Sequence, residues 1–205
     1  MRVIAGTAGG IQLHVPKRGV RPTMDRVKAA IFSSLADQVV GADVLDLFAG
    51  AGGLGIEALS RGASSVLFVD DDRAAVATIE KNLVKAKLTA SVRHQNVFEF
   101  LKRAPSDKKF RIIFADPPYE KMKSGERFTD KLLDNDALPR LLQPGGIFVL
   151  EKRPGEVLPE RRHWKISRRK AYGATEVLFL QHSPSNYDPS HPIENRELKI
   201  ENRKL

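Results

Sequence analysis

The run Val44-Leu45-Asp46-Leu47-Phe48-Ala49-Gly50-Ala51-Gly52-Gly53-Leu54-Gly55-Ile56-Glu57-Ala58-Leu59 does most to limit what this chain can fold into. It reads as a buried strand, a glycine turn and the start of a helix. Gly50, Gly52 and Gly55 follow G-x-G-x-x-G, a spacing that lets backbone approach a ligand and aims the amides of a helix N-terminus at it. Glycines in this pattern can also serve only to make a tight strand-to-helix turn. Asp46 favours the ligand reading. It lies four residues before the first glycine, at the carboxyl end of the strand, where open α/β sheets bind their ligands. A fixed carboxylate there repels the pyrophosphate of a dinucleotide and attracts the ammonium and sulfonium of S-adenosylmethionine. Asp70 ends the next predicted strand, 20 residues after Gly50, and can accept bonds from both hydroxyls of a ribose. That acid suits NAD equally well, so the choice of cofactor needs a further motif.

The further motif is Asp116-Pro117-Pro118-Tyr119, delivered to the same edge by the apolar strand Phe110-Arg111-Ile112-Ile113-Phe114-Ala115. The two prolines have fixed φ and no amide hydrogen, so the loop presents carbonyl oxygens and a carboxylate in a stiff array beside an aromatic ring. Such an array accepts hydrogen bonds from an amino group. The lone pair of an exocyclic amine on a base is delocalised into the ring. Two acceptors on its hydrogens draw the nitrogen toward a tetrahedral shape and aim that lone pair at a methyl donor. Tyr119 can stack on the base. The competing reading is a rigid proline turn without chemistry.

Around these motifs the chain alternates strands and helices, which argues for a mostly parallel sheet with right-handed crossovers and helices on both faces. With 205 residues and 41% apolar content it can bury one good core. Residues 3 to 15 read as a small hairpin around a glycine turn. Lys17, Arg18 and Arg21 follow, and Thr23 caps a helix carrying Arg26, with Val27, Ala30, Ile31 and Leu35 on its apolar face. Residues 73 to 87 form an amphipathic helix with Val76, Ile79, Leu83 and Val84 inward. A third strand, Ser91-Val92-Arg93-His94-Gln95, leads to Asn96 and Val97, where the adenine of a nucleotide cofactor would lie; Asn96 is also an ordinary turn former. Residues 121 to 136, polar and containing Gly125, suit a mobile flap. Residues 138 to 142 read as a helix ended by Pro144-Gly145-Gly146, followed by a strand that ends in Glu151. Two late β segments surround residues 164 to 166 and 175 to 180, with Arg168-Arg169-Lys170 at the hairpin end between them. The expected organisation is a basic hairpin extension over 1–22, a methyltransferase-type domain over 23–181 and a disordered tail over 182–205.

The net charge of +9 is uneven. Residues 1–36 carry +5 and residues 152–170 carry +6, while residues 37–151 are near neutral at −1. Two basic segments flanking a neutral domain suit a polyanion, nucleic acid above all, although each alone also reads as solvated surface charge. Cysteine is absent, the five histidines show no metal-ligand spacing, and no stretch of 18 apolar residues or secretory leader is present, so the expectation is a cytoplasmic protein without a metal.

With these residues in hand, the chain resembles the bacterial 16S rRNA guanine-N2 methyltransferases of the RsmD type over roughly residues 1 to 181. The resemblance rests on Arg21-Pro22-Thr23-Met24-Asp25-Arg26-Val27-Lys28, on the run from Asp46 through Gly55 to Ser60-Arg61-Gly62-Ala63, and on Asp116-Pro117-Pro118-Tyr119. Two positions depart mildly: Ala51-Gly52 stands where the family usually has Ser-Gly or Thr-Gly, and the acid of the second strand, commonly Glu, is Asp70. The resemblance implies a Rossmann-like fold with a mostly parallel seven-stranded sheet and S-adenosylmethionine as cofactor. It implies cofactor contacts from Thr23, Arg26, Asp46, Phe48, Ala49, Gly50, Gly52, Gly55, Asp70, Asp71, Asn96, Val97 and Asp116, and catalysis at Asp116, Pro117, Pro118 and Tyr119. The basic residues Lys17, Arg18, Arg21, Arg161, Arg162, Arg168, Arg169 and Lys170 would meet RNA. The implied partner is 16S rRNA or the assembling small ribosomal subunit, bound by a monomer. An adenine-N6 methyltransferase, and a non-catalytic RNA-binding assembly factor with this fold, stay open beside it.

Overall fold

The computed structural model describes residues 1–15, 24–104, 107–119, 125–158 and 163–183. In chain order the elements are α1 (Met24–Leu35), a 3-10 turn (Ala36–Val39), β1 (Asp43–Leu47), α2 (Gly53–Ser60), β2 (Ser65–Asp70), α3 (Arg73–Ala86), β3 (Ser91–His94), α4 (Val97–Arg103), β4 (Phe110–Ala115), α5 (Phe128–Leu133), α6 (Ala137–Arg140), β5 (Leu142–Lys152), β6 (Trp164–Tyr172) and β7 (Thr175–His182). The strands form one seven-stranded sheet in the order β3-β2-β1-β4-β5-β7-β6. All neighbouring pairs from β3 to β5 are parallel, and β7 runs antiparallel to both β5 and β6.

The central strands are apolar at almost every position because both faces are covered. Alternation along each strand then divides the core into two layers. Val44, Val66, Phe68, Ile112, Phe114 and Val149 join Ile31 and Phe32 of α1, Ile56 of α2 and Ile79 of α3 on one face. Leu45, Leu67, Val69, Ile113, Phe148 and Leu150 join Phe100 and Leu101 of α4, Leu133 of α5 and Leu138 of α6 on the other. Local signals set the helix starts: the Asp72 carboxylate accepts from Ala74 N at 2.8 Å, and Asn96 Oδ1 accepts from Phe98 N at 3.0 Å and Glu99 N at 3.3 Å. Among the described residues no helix is long and apolar enough to cross a membrane.

Several expectations are corrected. Val84 is 79% exposed, because the inward stripe of α3 runs through Ala75, Ile79, Asn82, Leu83 and Ala86, and Val84 points to nearly the opposite side of the helix. The expected flap over residues 121 to 136 contains α5, whose Thr129, Leu132 and Leu133 are buried, and the Leu133 carbonyl accepts from Trp164 Nε1 at 3.1 Å. Residues 120–124 lie outside the described residues. The helix expected over 138 to 142 is the single turn α6, and Pro144-Gly145-Gly146 belongs to β5, which continues past Glu151 to Lys152. There the register shifts: Phe110 pairs with Leu142 but Ile112 with Ile147, so the extra residues of β5 bulge out at the exposed Pro144 and Gly145. Arg168, Arg169 and Lys170 stand within β6, pairing with β7, and the turn comes later, around Gly173. The N-terminal hairpin is held by one bridge, Arg2 to Gln12, and by backbone bonds such as Val3 N to Ile11 O and Leu13 N to Met1 O, rather than by two regular strands. The expected tail lies outside the described residues from residue 184 onward.

Candidate active site

The order of strands reverses between β1 and β4: from β1 the chain builds outward to β2 and β3, and from β4 to β5. Ligands of open α/β sheets bind in the crevice at the carboxyl ends of two such strands. Leu47 pairs with Ala115 of β4 and with Val69 of β2. The residues that follow, Phe48, Asp116 and Asp70, are therefore brought to one edge.

The glycine loop takes up left-handed backbone at Gly50 (φ 56°) and at Gly52 (φ 79°), which caps α2. Phe48, a non-glycine residue, also has φ 56°, the kind of backbone strain that persists where surrounding structure enforces it. Gly55 has a different role. A Cβ there would fall 2.2 Å from Phe68 Cε1 and 2.9 Å from Val66 Cγ1, so this glycine lets α2 lie close against β2.

Two carboxyl groups hold the loop from below. Asp46 is 2% exposed, and its Oδ2 accepts from Gly55 N at 2.8 Å. Burial pushes its carboxyl up to about 8; the Gly55 amide opposes the shift, while the like charges of Asp116 and Asp70 add to it. Most of the charge that the sequence places at Asp46 is thus withheld at neutral pH. Asp70 accepts from Gly50 N at 2.7 Å through Oδ2 and from Asp72 N at 2.9 Å through Oδ1, and burial raises its carboxyl too, against those two bonds. Each of these oxygens keeps acceptor capacity for a further donor. Asp71, exposed beside it, accepts from Asn96 Nδ2 at 3.3 Å, and its carbonyl accepts from His94 Nε2 at 3.0 Å. Asn96 therefore does cap a helix, as its turn-forming reading allows, while standing at the strand end where a base edge was expected. The Val97 side chain is in the core.

Sequence reasoning missed the aromatic wall next to this edge. Phe48, Phe98 and Phe128 meet with ring centroids 5.6 to 6.1 Å apart, and all three are half-buried. The hint was an isolated Phe128 inside a polar segment. It also missed the surroundings of Tyr119, whose hydroxyl lies 3.0 Å from Thr175 Oγ1 of β7 and whose ring carries the Arg153 guanidinium 5.4 Å from its centroid. Pro118, Tyr119, Phe128 and Arg153 line a cleft of about 160 Å³ together with Arg127, Thr129 and Glu156. Arg127 is fixed there by Asp130 at 2.6 Å and Glu156 at 3.3 Å. Lys152, 1% exposed, pairs with Glu176 at 2.6 Å and donates to the carbonyls of Arg153 and Glu156, which fastens the turn bearing Arg153.

Of the basic residues, Arg168, Arg169 and Lys170 lie on the edge strand β6. Arg169 pairs with Glu176 at 3.2 Å, and Arg168 donates to the Ser34 carbonyl at 3.3 Å. Arg26 is exposed on α1. Lys17, Arg18, Arg21, Thr23, Arg161 and Arg162 lie outside the described residues.

A family model described as "Conserved hypothetical protein 95" matches residues 1–181. The "Putative rRNA methyltransferase YlbH" of Bacillus subtilis is 39% identical, over 88% of this chain and 98% of that protein. "Ribosomal RNA small subunit methyltransferase D" of Escherichia coli is 36% identical, over 88% and 89%. Among solved structures, a putative methyltransferase, yhhF, from Escherichia coli superposes with a TM-score of 0.72 at 33% identity, covering 90% of this chain and 99% of that one. The Thermus thermophilus 16S rRNA N2 G1207 methyltransferase, solved with AdoMet and guanosine, superposes with a TM-score of 0.61 at 27% identity, over 82% of this chain and 44% of that one.

Proposed function

This chain belongs to the family described as Conserved hypothetical protein 95, and from that premise we propose that it methylates the exocyclic N2 amine of a guanine in the 16S rRNA of the small ribosomal subunit. Its cofactor is S-adenosylmethionine. The residues present fit that group. The edge at the strand reversal gathers Asp46, Asp70, Asp71 and Asp116, a set that suits a ligand with cationic groups and would repel a pyrophosphate. Asp70 keeps acceptor capacity for ribose hydroxyls, and the glycine loop, Asp46, Thr23 and Arg26 would take the methionine end, with Phe48, Ala49, Asp71, Asn96 and Val97 around the rest. When bound, the cofactor supplies a methyl group made electrophilic by its sulfonium.

The single observation that carries the reading is the register Leu47 to Ala115, which sets the glycine loop and Asp116-Pro117-Pro118-Tyr119 side by side at the reversal. Asp116 and the Pro117 carbonyl would accept from the two hydrogens of the amine, fixing its direction and leaving its lone pair free to attack. Pro118 stiffens the loop. The proton that the amine must lose becomes acidic as its nitrogen gains a bond, and it leaves to Asp116 or to water. A paired guanine uses N2 in a Watson–Crick bond, so the target base must be unpaired or flipped out. Tyr119 offers it a stacking face. Arg168, Arg169 and Lys170 on β6, with the N-terminal basic residues and Arg161 and Arg162, would bind phosphates.

The test is methyl transfer from labelled S-adenosylmethionine by the full chain to 16S rRNA and to small subunits, followed by nucleoside analysis. N2-methylguanine formed by the wild type and absent with Asp116→Ala, which should still bind RNA, is the expected result. N6-methyladenine, or no product at all, would replace this reading with one of its two competitors.

A further inference from the structure

Three buried polar side chains fasten residues 1–15 to the domain. On α2, Glu57 accepts from the amides of Ile4 at 2.7 Å and Ala5 at 3.1 Å, and the Ser60 hydroxyl accepts from Ala8 N at 2.9 Å while donating to the Ala5 carbonyl. On α3, Asn82 is 0% exposed, on a stripe whose other members are apolar. Its Oδ1 accepts from His14 N at 2.7 Å, and its Nδ2 donates to the His14 carbonyl at 2.9 Å and to the Ala51 carbonyl at 2.9 Å.

The last of these bonds is not needed to fasten the N-terminal segment. Ala51 stands between Gly50 and Gly52, so one buried amide ties residue 14 and the centre of the glycine loop to the same point on α3. A second contact runs the same way at the other end of the segment: a Cβ at Gly53 would fall 2.6 Å from Met1 Sδ, so the Met1 side chain rests on the start of α2. Burying an amide on an apolar stripe is costly unless every hydrogen-bonding group is met, and here the donors and the acceptor are all used.

We propose that Asn82 is a positioning residue of the cofactor site, holding Gly50-Ala51-Gly52 in the conformation that binds the cofactor and coupling that loop to residue 14. The inference rests on the reading of that loop as the cofactor loop, and is independent of which base is methylated. Asn82→Ala removes the tie and leaves room for a water to meet the three freed backbone groups, so the fold is kept while the loop loosens. Ser60→Ala loosens the same segment at a point that does not touch the loop.

Calorimetry with S-adenosylhomocysteine on the full chain should show about tenfold weaker binding for Asn82→Ala and a change within about twofold for Ser60→Ala, at similar losses of melting temperature. In turnover, Asn82→Ala should raise KM for S-adenosylmethionine and leave kcat nearly unchanged. A variant-free measurement accompanies these: S-adenosylhomocysteine should slow hydrogen exchange at the His14 amide of the wild type as well as in the loop. Equal weakening by both substitutions, no weakening by Asn82→Ala, or an unchanged His14 amide overturns the inference. A wild type that binds no S-adenosylhomocysteine instead overturns the reading of the loop, and the inference with it.

Discussion

If Asp46 meets the cofactor as proposed, cofactor binding is pH-dependent. Its carboxyl, pushed up to about 8 by burial with Asp116 and Asp70 as neighbouring charges, is ionised in only about 1% of molecules at pH 6 and about a quarter at pH 7.5. If the cationic end of S-adenosylmethionine meets the ionised form, the apparent Kd is the intrinsic value divided by that fraction. Between pH 6 and 7.5 it should fall about 25-fold. The window stops there because a free α-amino group begins to lose its own charge near pH 8. Titration calorimetry across this range, in buffers of different ionisation enthalpy, should also detect about one proton released per ligand bound at pH 6, falling to about three quarters at pH 7.5. Asp46→Asn keeps an acceptor for the Gly55 amide but cannot ionise. Its binding should be weak and nearly flat with pH, which separates Asp46 from Asp70, whose carboxyl is raised in the same direction. A wild-type Kd constant within about threefold over the window, or a slope retained in Asp46→Asn, would refute the reasoning.

The same group makes a stability prediction. A carboxyl whose folded value exceeds its unfolded one contributes stability that is intact below the unfolded value of 3.8, is lost progressively as pH rises from there to about 8 and changes no further above it, so this component should lower the melting temperature of the free protein between pH 6 and 8 and then level off, and in Asp46→Asn it should vanish. Tyr119→Phe takes a hydrogen bond from Thr175, which is 6% exposed; a urea melt should show a loss of about 1 kcal/mol with methylation nearly intact. Tyr119→Ala should lose about 1 to 3 kcal/mol of base stacking in kcat/KM, and a Phe variant as inactive as the Ala variant would assign chemistry to the hydroxyl. Neutralising Arg168, Arg169 and Lys170 should reduce the slope of log affinity for RNA against log salt by about one for each phosphate left without its cation; an unchanged slope would mark these charges as solvating only.

Much of this architecture could be read from the sequence because short continuous apolar runs and period-3.6 apolar stripes survive folding unchanged. The strands Val44 to Leu47 and Ile112 to Ala115, the glycine spacing and the Asp-Pro-Pro-Tyr loop are all local signals. What escaped is set by partners far along the chain. Asp46 is a charged letter in the sequence, and burial in the folded chain, with Asp116 and Asp70 brought close, withholds the charge. Asn82 reads as a polar position and Val84 as an apolar one, yet a partner 68 residues away makes the first an inside residue. The Tyr119 hydroxyl finds Thr175 56 residues later, across a strand that runs against its neighbours. The α5 helix hid in a segment whose composition is that of a loop.

Arg153 covers one face of the Tyr119 ring. With its guanidinium carbon 5.4 Å from the Tyr119 centroid, it occupies one face with a flat, cationic group of roughly nucleobase thickness. A base seeking that face must evict a tenant. The exchange trades a cation–π contact, about 0.5 to 1 kcal/mol at an exposed site, for a stacking contact of about 1 to 3 kcal/mol, so the newcomer gains only the difference. If Tyr119 stacks on the target base as proposed, the ring discriminates by fit without gripping tightly, and Arg153 is a ready occupant for the face that the product vacates.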